Sequence, residues 1–141
     1  MFEEMIKSYL AKLKEIEGYD VKSVILFGSV ARGQAKEHSD IDIILVASGL
    51  PELRNRDALP PFFKPARIQD IWMTPEELED MVIAKTGFLV DALLEGRVLQ
   101  DDGTVARARE KLGRIAEEAE GQEAQVGVDD SKGGTSRRDK L

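Results

Sequence analysis

A chain of 141 residues, 42% hydrophobic and 33% charged, has the length for one compact core of ordinary size and not for two. Cysteine is absent and His38 is the sole histidine. Disulfide frameworks, thiolate zinc sites, thiol nucleophiles and histidine-rich metal centres are therefore excluded, leaving carboxylates and hydroxyls to carry any chemistry. The net charge of −7 argues against broad nucleic-acid binding, which needs a basic surface, and suits divalent cations.

Residues 1–17 place Phe2, Met5, Ile6, Tyr9, Leu10, Leu13 and Ile16 at spacings of three and four, which predicts an amphipathic helix. Gly18, Tyr19 and Asp20 break it, and the β-branched run 21–27 predicts a mostly buried strand. Residues 28–39 turn small and polar, long enough for a loop with a short helix, and a second strand follows over 41–46. Four of the five prolines lie in 47–65 with Arg54, Arg56 and Lys64, so that segment is expected to be a long irregular loop of the kind that serves binding.

A third strand is predicted over 66–73, ending at Thr74-Pro75-Glu76-Glu77, a capping box with proline at the first helical position. The helix it opens carries Leu78, Met81 and Val82 on one side, bends near Gly87, continues through Leu93 and stops at Gly96. Val98 and Leu99 suit an edge strand, and 101–120 has helical spacing again. The apolar stripes of the first and last helices fit either core or interface. Residues 121–141 hold four of the twelve glycines and no aromatic residue, too little apolar surface to offset ordering entropy, so they are expected to form a disordered tail behind a domain of residues 1–120.

No stretch approaches the roughly 18 uninterrupted apolar residues of a membrane span, and Glu3 and Glu4 stand where a signal peptide would be basic. A cytoplasmic location is expected. Asn55 is the only asparagine, and with abundant Lys, Arg and Glu this resembles thermophile composition, although small acidic mesophilic proteins share it.

The informative stretch is Gly28-Ser29-Val30-Ala31-Arg32-Gly33, then Ser39-Asp40-Ile41-Asp42-Ile43. Side chains two apart on a strand share a face, so Asp40 and Asp42 project together with Cα atoms roughly 6.5–7 Å apart. Two ionised carboxylates that close repel, and a buried strand is an expensive place for them unless a cation offsets the charge. Oxygen ligands select magnesium or manganese. An isolated Asp-x-Asp pair also fits a solvated edge strand, but the run Ile43-Ile44-Leu45-Val46 is too apolar for one and puts the pair at the mouth of a buried strand. Upstream, the strand ends in Gly28-Ser29, which exposes backbone N–H groups and a hydroxyl to an anion or makes a tight turn. It is not a P-loop, because Gln34 and Ala35 follow Gly33. Arg32 fits a phosphate contact or a solvated surface charge. Asp70 is the candidate third carboxylate, on a strand that could run beside 41–46; its alternative is an ordinary surface residue.

Gly28-Ser29, ten intervening residues, Asp40-x-Asp42 and the later Asp70 together resemble the minimal nucleotidyltransferases of the DNA polymerase β superfamily. The resemblance runs over about residues 21–100. It implies an α/β (α+β) fold with a small mixed sheet flanked by helices. It also implies metal binding and catalysis by Asp40, Asp42 and Asp70, and nucleotide binding by Gly28, Ser29, Arg32 and Ser39. His38 has no role in it. The implied activity is magnesium-dependent transfer of AMP from ATP, with two ions, to a hydroxyl of a helical HEPN-type toxin, the chain acting as antitoxin and its acceptor being a tyrosine. Arg54, Arg56, Lys64 and Arg67 are candidates to cover the nucleotide or are solvated charges. The rival readings are a non-catalytic nucleotide-binding antitoxin that masks its partner by contact, and transfer to a small molecule.

Overall fold

In the computed structural model, residues 2–60, 62 and 64–129 are described. A four-stranded mixed sheet divides two apolar clusters. Its strands are β1 (Asp20–Phe27), β2 (Ile41–Ser48), β3 (Ile68–Met73) and β4 (Arg97–Gln100), in spatial order β3-β2-β1-β4. β1 runs antiparallel to both β2 and β4, while β2 and β3 are parallel. The expected mixed sheet flanked by helices is what forms.

β2 sits inside the sheet, and Ile41 through Ala47 are fully buried apart from the half-buried Asp42. Its near-continuous apolar run is explained by cover on both faces. On one face, Ile41, Ile43 and Leu45 pack with Val24, Leu26, Ile68 and Trp72 against helix α1 (Phe2–Leu13), which contributes Ile6, Tyr9 and Leu13. On the other, Ile44 and Val46 pack with Ile25 and Met73 against α3 (Pro75–Ile83), α4 (Gly87–Glu95) and α5 (Thr104–Asp129). One further helix, the short α2 (Gly28–Ala31), follows β1 directly. The long loop contains a 3-10 turn, Leu53–Ala58.

Local chemistry sets the helix ends. The Thr74 capping box forms as expected: Glu77 N–H donates to Thr74 Oγ1 at 3.1 Å and Thr74 N–H donates to Glu77 Oε1 at 2.9 Å. Arg56 Nη1 reaches the same Glu77 oxygen at 2.6 Å, tying the loop to α3. The bend expected near Gly87 is a full break. Lys85 takes φ +56, Lys85 N–H donates to Val82 O and Thr86 N–H donates to Met81 O, the two bonds of a helix-ending Schellman motif with lysine where glycine is usual. At the start of α5, Asp101 accepts from the amides of Gly103, Val105 and Ala106 and from the hydroxyl of buried Ser23 on β1, anchoring that helix to the sheet.

Some boundaries differ from the sequence reading. α1 ends at Leu13, and Ile16 packs on the core from the turn beyond it. α5 continues past Glu120 to Asp129, where Gln122, Glu123, Ala124 and Gln125 are strong helix formers despite the two flanking glycines. The rest of the expected tail, 130–141, lies outside the described residues.

Candidate active site

The apolar strand β1 ends at Phe27, and the chain reverses through Gly28 at φ +76, a conformation that disfavours any side chain. Space gives a second reason for glycine. A Cβ at position 28 would overlap Oδ2 of Asp42 and lie 3.2 Å from its Cγ. The Gly28 backbone is therefore pressed directly against the carboxylate that the strand alternation presents.

α2 then carries Ser29 and closes with Arg32 N–H donating to Gly28 O at 3.2 Å, Gly33 N–H to Val30 O at 3.2 Å and Gln34 N–H to Ser29 O at 2.9 Å. Before β2, Ser39 Oγ accepts from Lys36 N–H at 2.8 Å, so this hydroxyl holds the loop that delivers Asp40. Ile41 N–H donates to Arg67 O at 2.8 Å, pinning the start of β2 to the entry of β3.

Asp40 is exposed and Asp42 half-buried, and the two lie on the α3–α5 side of the sheet. The Asp42 carboxyl is pushed above the usual carboxylate range, first by burial, then by the charge on Asp40, with Arg32 pulling the other way. Arg32 does not serve Asp42 alone. Its Nη1 lies 3.6 Å from Glu95 Oε2 at the end of α4, and its Nε donates to Gln34 Oε1 at 3.2 Å. Glu95 was not anticipated, since nothing in the sequence brings the end of α4 to the Gly-Ser turn.

Asp70 is not brought to this pair. In the parallel β2–β3 ladder Asp42 is opposite Gln69 and Ile43 is opposite Asp70, so Asp70 projects to the α1 side. There its side chain, 9% exposed, accepts from Tyr9 Oη at 2.9 Å and Trp72 Nε1 at 2.9 Å and lies 3.6 Å from Lys64 Nζ. The residue expected to be a third metal ligand is thus a buried acceptor that binds α1 to β3. Asp70 shares its face with Trp72 and Ile68, both packed in the α1-side core. Among the described residues no group of three or more acidic or histidine side chains is arranged to hold a metal ion.

The basic loop residues divide. Arg56 donates to Pro51 O and Glu77, and Lys64 donates to Ile68 O at 2.7 Å, so both are engaged in structure. Arg54 pairs with Glu52 at the surface, and Arg67 Nη2 lies 3.4 Å from His38 Nδ1. No helix among the described residues is long and apolar enough to cross a membrane.

The mixed sheet with its strand–glycine turn–Asp-x-Asp unit has the architecture of the nucleotidyltransferase class. Residues 6–99 match the family described as "Nucleotidyltransferase domain", and the chain belongs to that family. Among curated relatives in Methanocaldococcus jannaschii, one named "Putative protein adenylyltransferase MJ0128" is 35% identical over 95 residues, covering 66% of this chain and 78% of the relative. Another of the same description, MJ1305, is 44% identical over 54 residues, covering 38% of this chain and 37% of its own length. Several such matches thus span less than half of the relative. A solved toxin–antitoxin structure with AMP-PNP is 16% identical with a TM-score of 0.46, covering 92% of this chain and 98% of that one, a likeness too loose to bear on function.

Proposed function

We propose that the protein transfers AMP from ATP to a hydroxyl of another protein, with magnesium bound through Asp40 and Asp42. The observation that carries the reading is Gly28 packed on the Asp42 carboxylate, which sets the backbone of the Gly28-Ser29 turn beside two carboxylates of one strand face. The residues fit a hard divalent cation: their donors are all oxygen, and burial and the Asp40 charge push the Asp42 carboxyl upward with Arg32 as the opposing cation. When bound, such an ion offsets charge on the triphosphate and on the departing pyrophosphate. Asp40 and Asp42 would hold it; the Gly28-Ser29 turn would fix phosphate oxygens; Arg32, freed from Glu95, would reach a phosphate.

The acceptor oxygen forms a bond to the α-phosphorus, the bond from that phosphorus to the β-phosphate oxygen breaks, pyrophosphate leaves, and the hydroxyl proton passes to solvent or a carboxylate. Positioning and charge compensation supply the catalysis. The acceptor we assign is a tyrosine of a helical HEPN-type toxin. The relatives named as protein adenylyltransferases support a protein acceptor.

The second reading, a nucleotide-binding antitoxin that masks its partner by contact, is favoured by one observation, the displacement of Asp70 from the pair. One experiment separates them. Incubated with ATP, magnesium and the HEPN partner, the chain should add one or more AMP groups to the partner by mass spectrometry, and Asp42→Ala should abolish the adduct while the complex survives. Absence of an adduct under conditions where ATP binds overturns the transfer reading.

A further inference from the structure

The β2–β3 register fixes which residue of β3 stands beside the Asp40–Asp42 pair. Directly opposite residues of a parallel ladder share a face with Cα atoms about 4.8 Å apart. Opposite Asp42 that residue is Gln69, exposed, its Nε2 donating to Ala66 O at 3.0 Å. Asp70 cannot take its place by a slip of one residue. Such a slip would also turn Ile68 and Trp72 out of the core and break the bonds from Tyr9 and Trp72.

The face therefore presents two carboxylates and one carboxamide. A carboxamide offers an oxygen acceptor and two N–H donors, carries no charge and takes no proton near neutral pH. Two carboxylates offset the charge of one divalent ion. A second ion, roughly 3.5–4 Å away as in two-metal sites, would meet the repulsion of the first with only a neutral amide on the β3 side.

We propose that Gln69 makes this a one-ion nucleotide site, and that a single added carboxylate at position 69 would make it a two-ion site. The inference rests on the reading of Asp40 and Asp42 as the cation–nucleotide site. It departs from the two ions expected of the resemblance. It also assigns Gln69 a part in the site, as a neutral hydrogen-bonding group, and removes proton abstraction from β3.

The test counts ions rather than turnover. The full chain is saturated with AMP-PNP and titrated with manganese alone, and bound manganese is counted by electron paramagnetic resonance. One ion per chain is expected for the wild type and for Asp70→Asn. Two are expected for Gln69→Asp, with the dipolar broadening of ions a few ångströms apart, and Gln69→Glu provides a second version of the same change. Two ions in the wild type, loss of an ion in Asp70→Asn, or one ion in both Gln69 variants overturns the proposal while leaving the site reading intact. Manganese and AMP-PNP binding that is absent, or unaffected by Asp42→Ala, overturns the site reading itself and this inference with it.

Discussion

Replacing Asp70 by alanine separates a structural carboxylate from a catalytic one. The substitution strips the acceptor from two donors, Tyr9 Oη and Trp72 Nε1, in residues only 2% and 9% exposed. Tyr9 cannot escape by ionising, because burial, the largest cause that pushes its hydroxyl above the ordinary tyrosine range, remains when Asp70 is gone. Each buried donor left without a partner costs about 1–3 kcal/mol. Lys64 loses a 3.6 Å ion pair but keeps its bond to Ile68 O, so its share is small. Relief of the desolvated carboxylate offsets part of the loss, and the net expectation is about 2–4 kcal/mol. For a chain of this length that is a fall in Tm of about 6–14 °C. Asp70→Asn keeps an oxygen of the same reach and should cost about 1 kcal/mol. Urea unfolding followed through Trp72, the sole tryptophan, measures both. A cycle with Tyr9→Phe should show strong non-additivity, since the two residues share one bond. AMP transfer assayed well below the melting range should survive in Asp70→Asn. A stability change under about 0.5 kcal/mol for Asp70→Ala with transfer abolished would refute the structural assignment and return Asp70 to the proposed metal site.

Gly28→Ala brings a Cβ onto the Asp42 carboxylate at a φ of +76, so nucleotide affinity measured by calorimetry should fall at least tenfold, with about 1–3 kcal/mol lost in stability; unchanged affinity would sever the turn from the site. Glu77 is held below its ordinary value of 4.5, chiefly by the Arg56 hydrogen bond. Asp101 is held below 3.8, where burial, the largest influence, is outweighed by bonds from Val105, Ser23, Ala106 and Gly103. Both carboxylates contribute stability that is fully present above those ordinary values and lost as pH falls through the lower folded ones; urea midpoints should therefore drop between about pH 5 and 3, and Thr74→Ala should cost about 1 kcal/mol at pH 7. Lys85→Gly relieves the left-handed backbone at φ +56 and should add about 0.5–1 kcal/mol by thermal unfolding. Asp42→Asn should bind nucleotide poorly yet unfold at a higher temperature than the wild type at neutral pH; lower stability would show that Asp42 is adequately paired within the chain.

Most of the fold was legible because its elements are locally consistent. The apolar run of β2 announced burial on both faces, and Thr74-Pro75-Glu76-Glu77 announced a helix start that the side chains then build. The Gly28–Asp42 neighbourhood was legible too, since both positions are set by the ends of adjacent strands. The face of Asp70 was misjudged because β3 has polar residues at consecutive positions, Gln69 and Asp70, and strand pattern alone leaves open which one looks toward β2's aspartates. Register settles that, and register is a property of two strands. Glu95 was invisible for a similar reason: its meeting with Arg32 depends on how α4 lies across the sheet.

The charge balance at Asp42 links stability to function. A carboxyl whose folded affinity for protons exceeds its unfolded one favours folding most below its ordinary value of 3.8, and that advantage is lost as pH rises through the raised folded value. At neutral pH the folded chain therefore holds an ionised group that unfolding would relieve. Arg32 is the cation placed to answer it, yet Arg32 also lies against Glu95, while the Gly28 backbone is packed on the carboxylate. A structural carboxylate in this protein looks different: Asp70 has two donors and a lysine, and Asp101 three amides and a hydroxyl. The contrast within one chain is the physical argument for a ligand at Asp42, because anything cationic that binds the folded state there offsets the repulsion and raises stability by mass action.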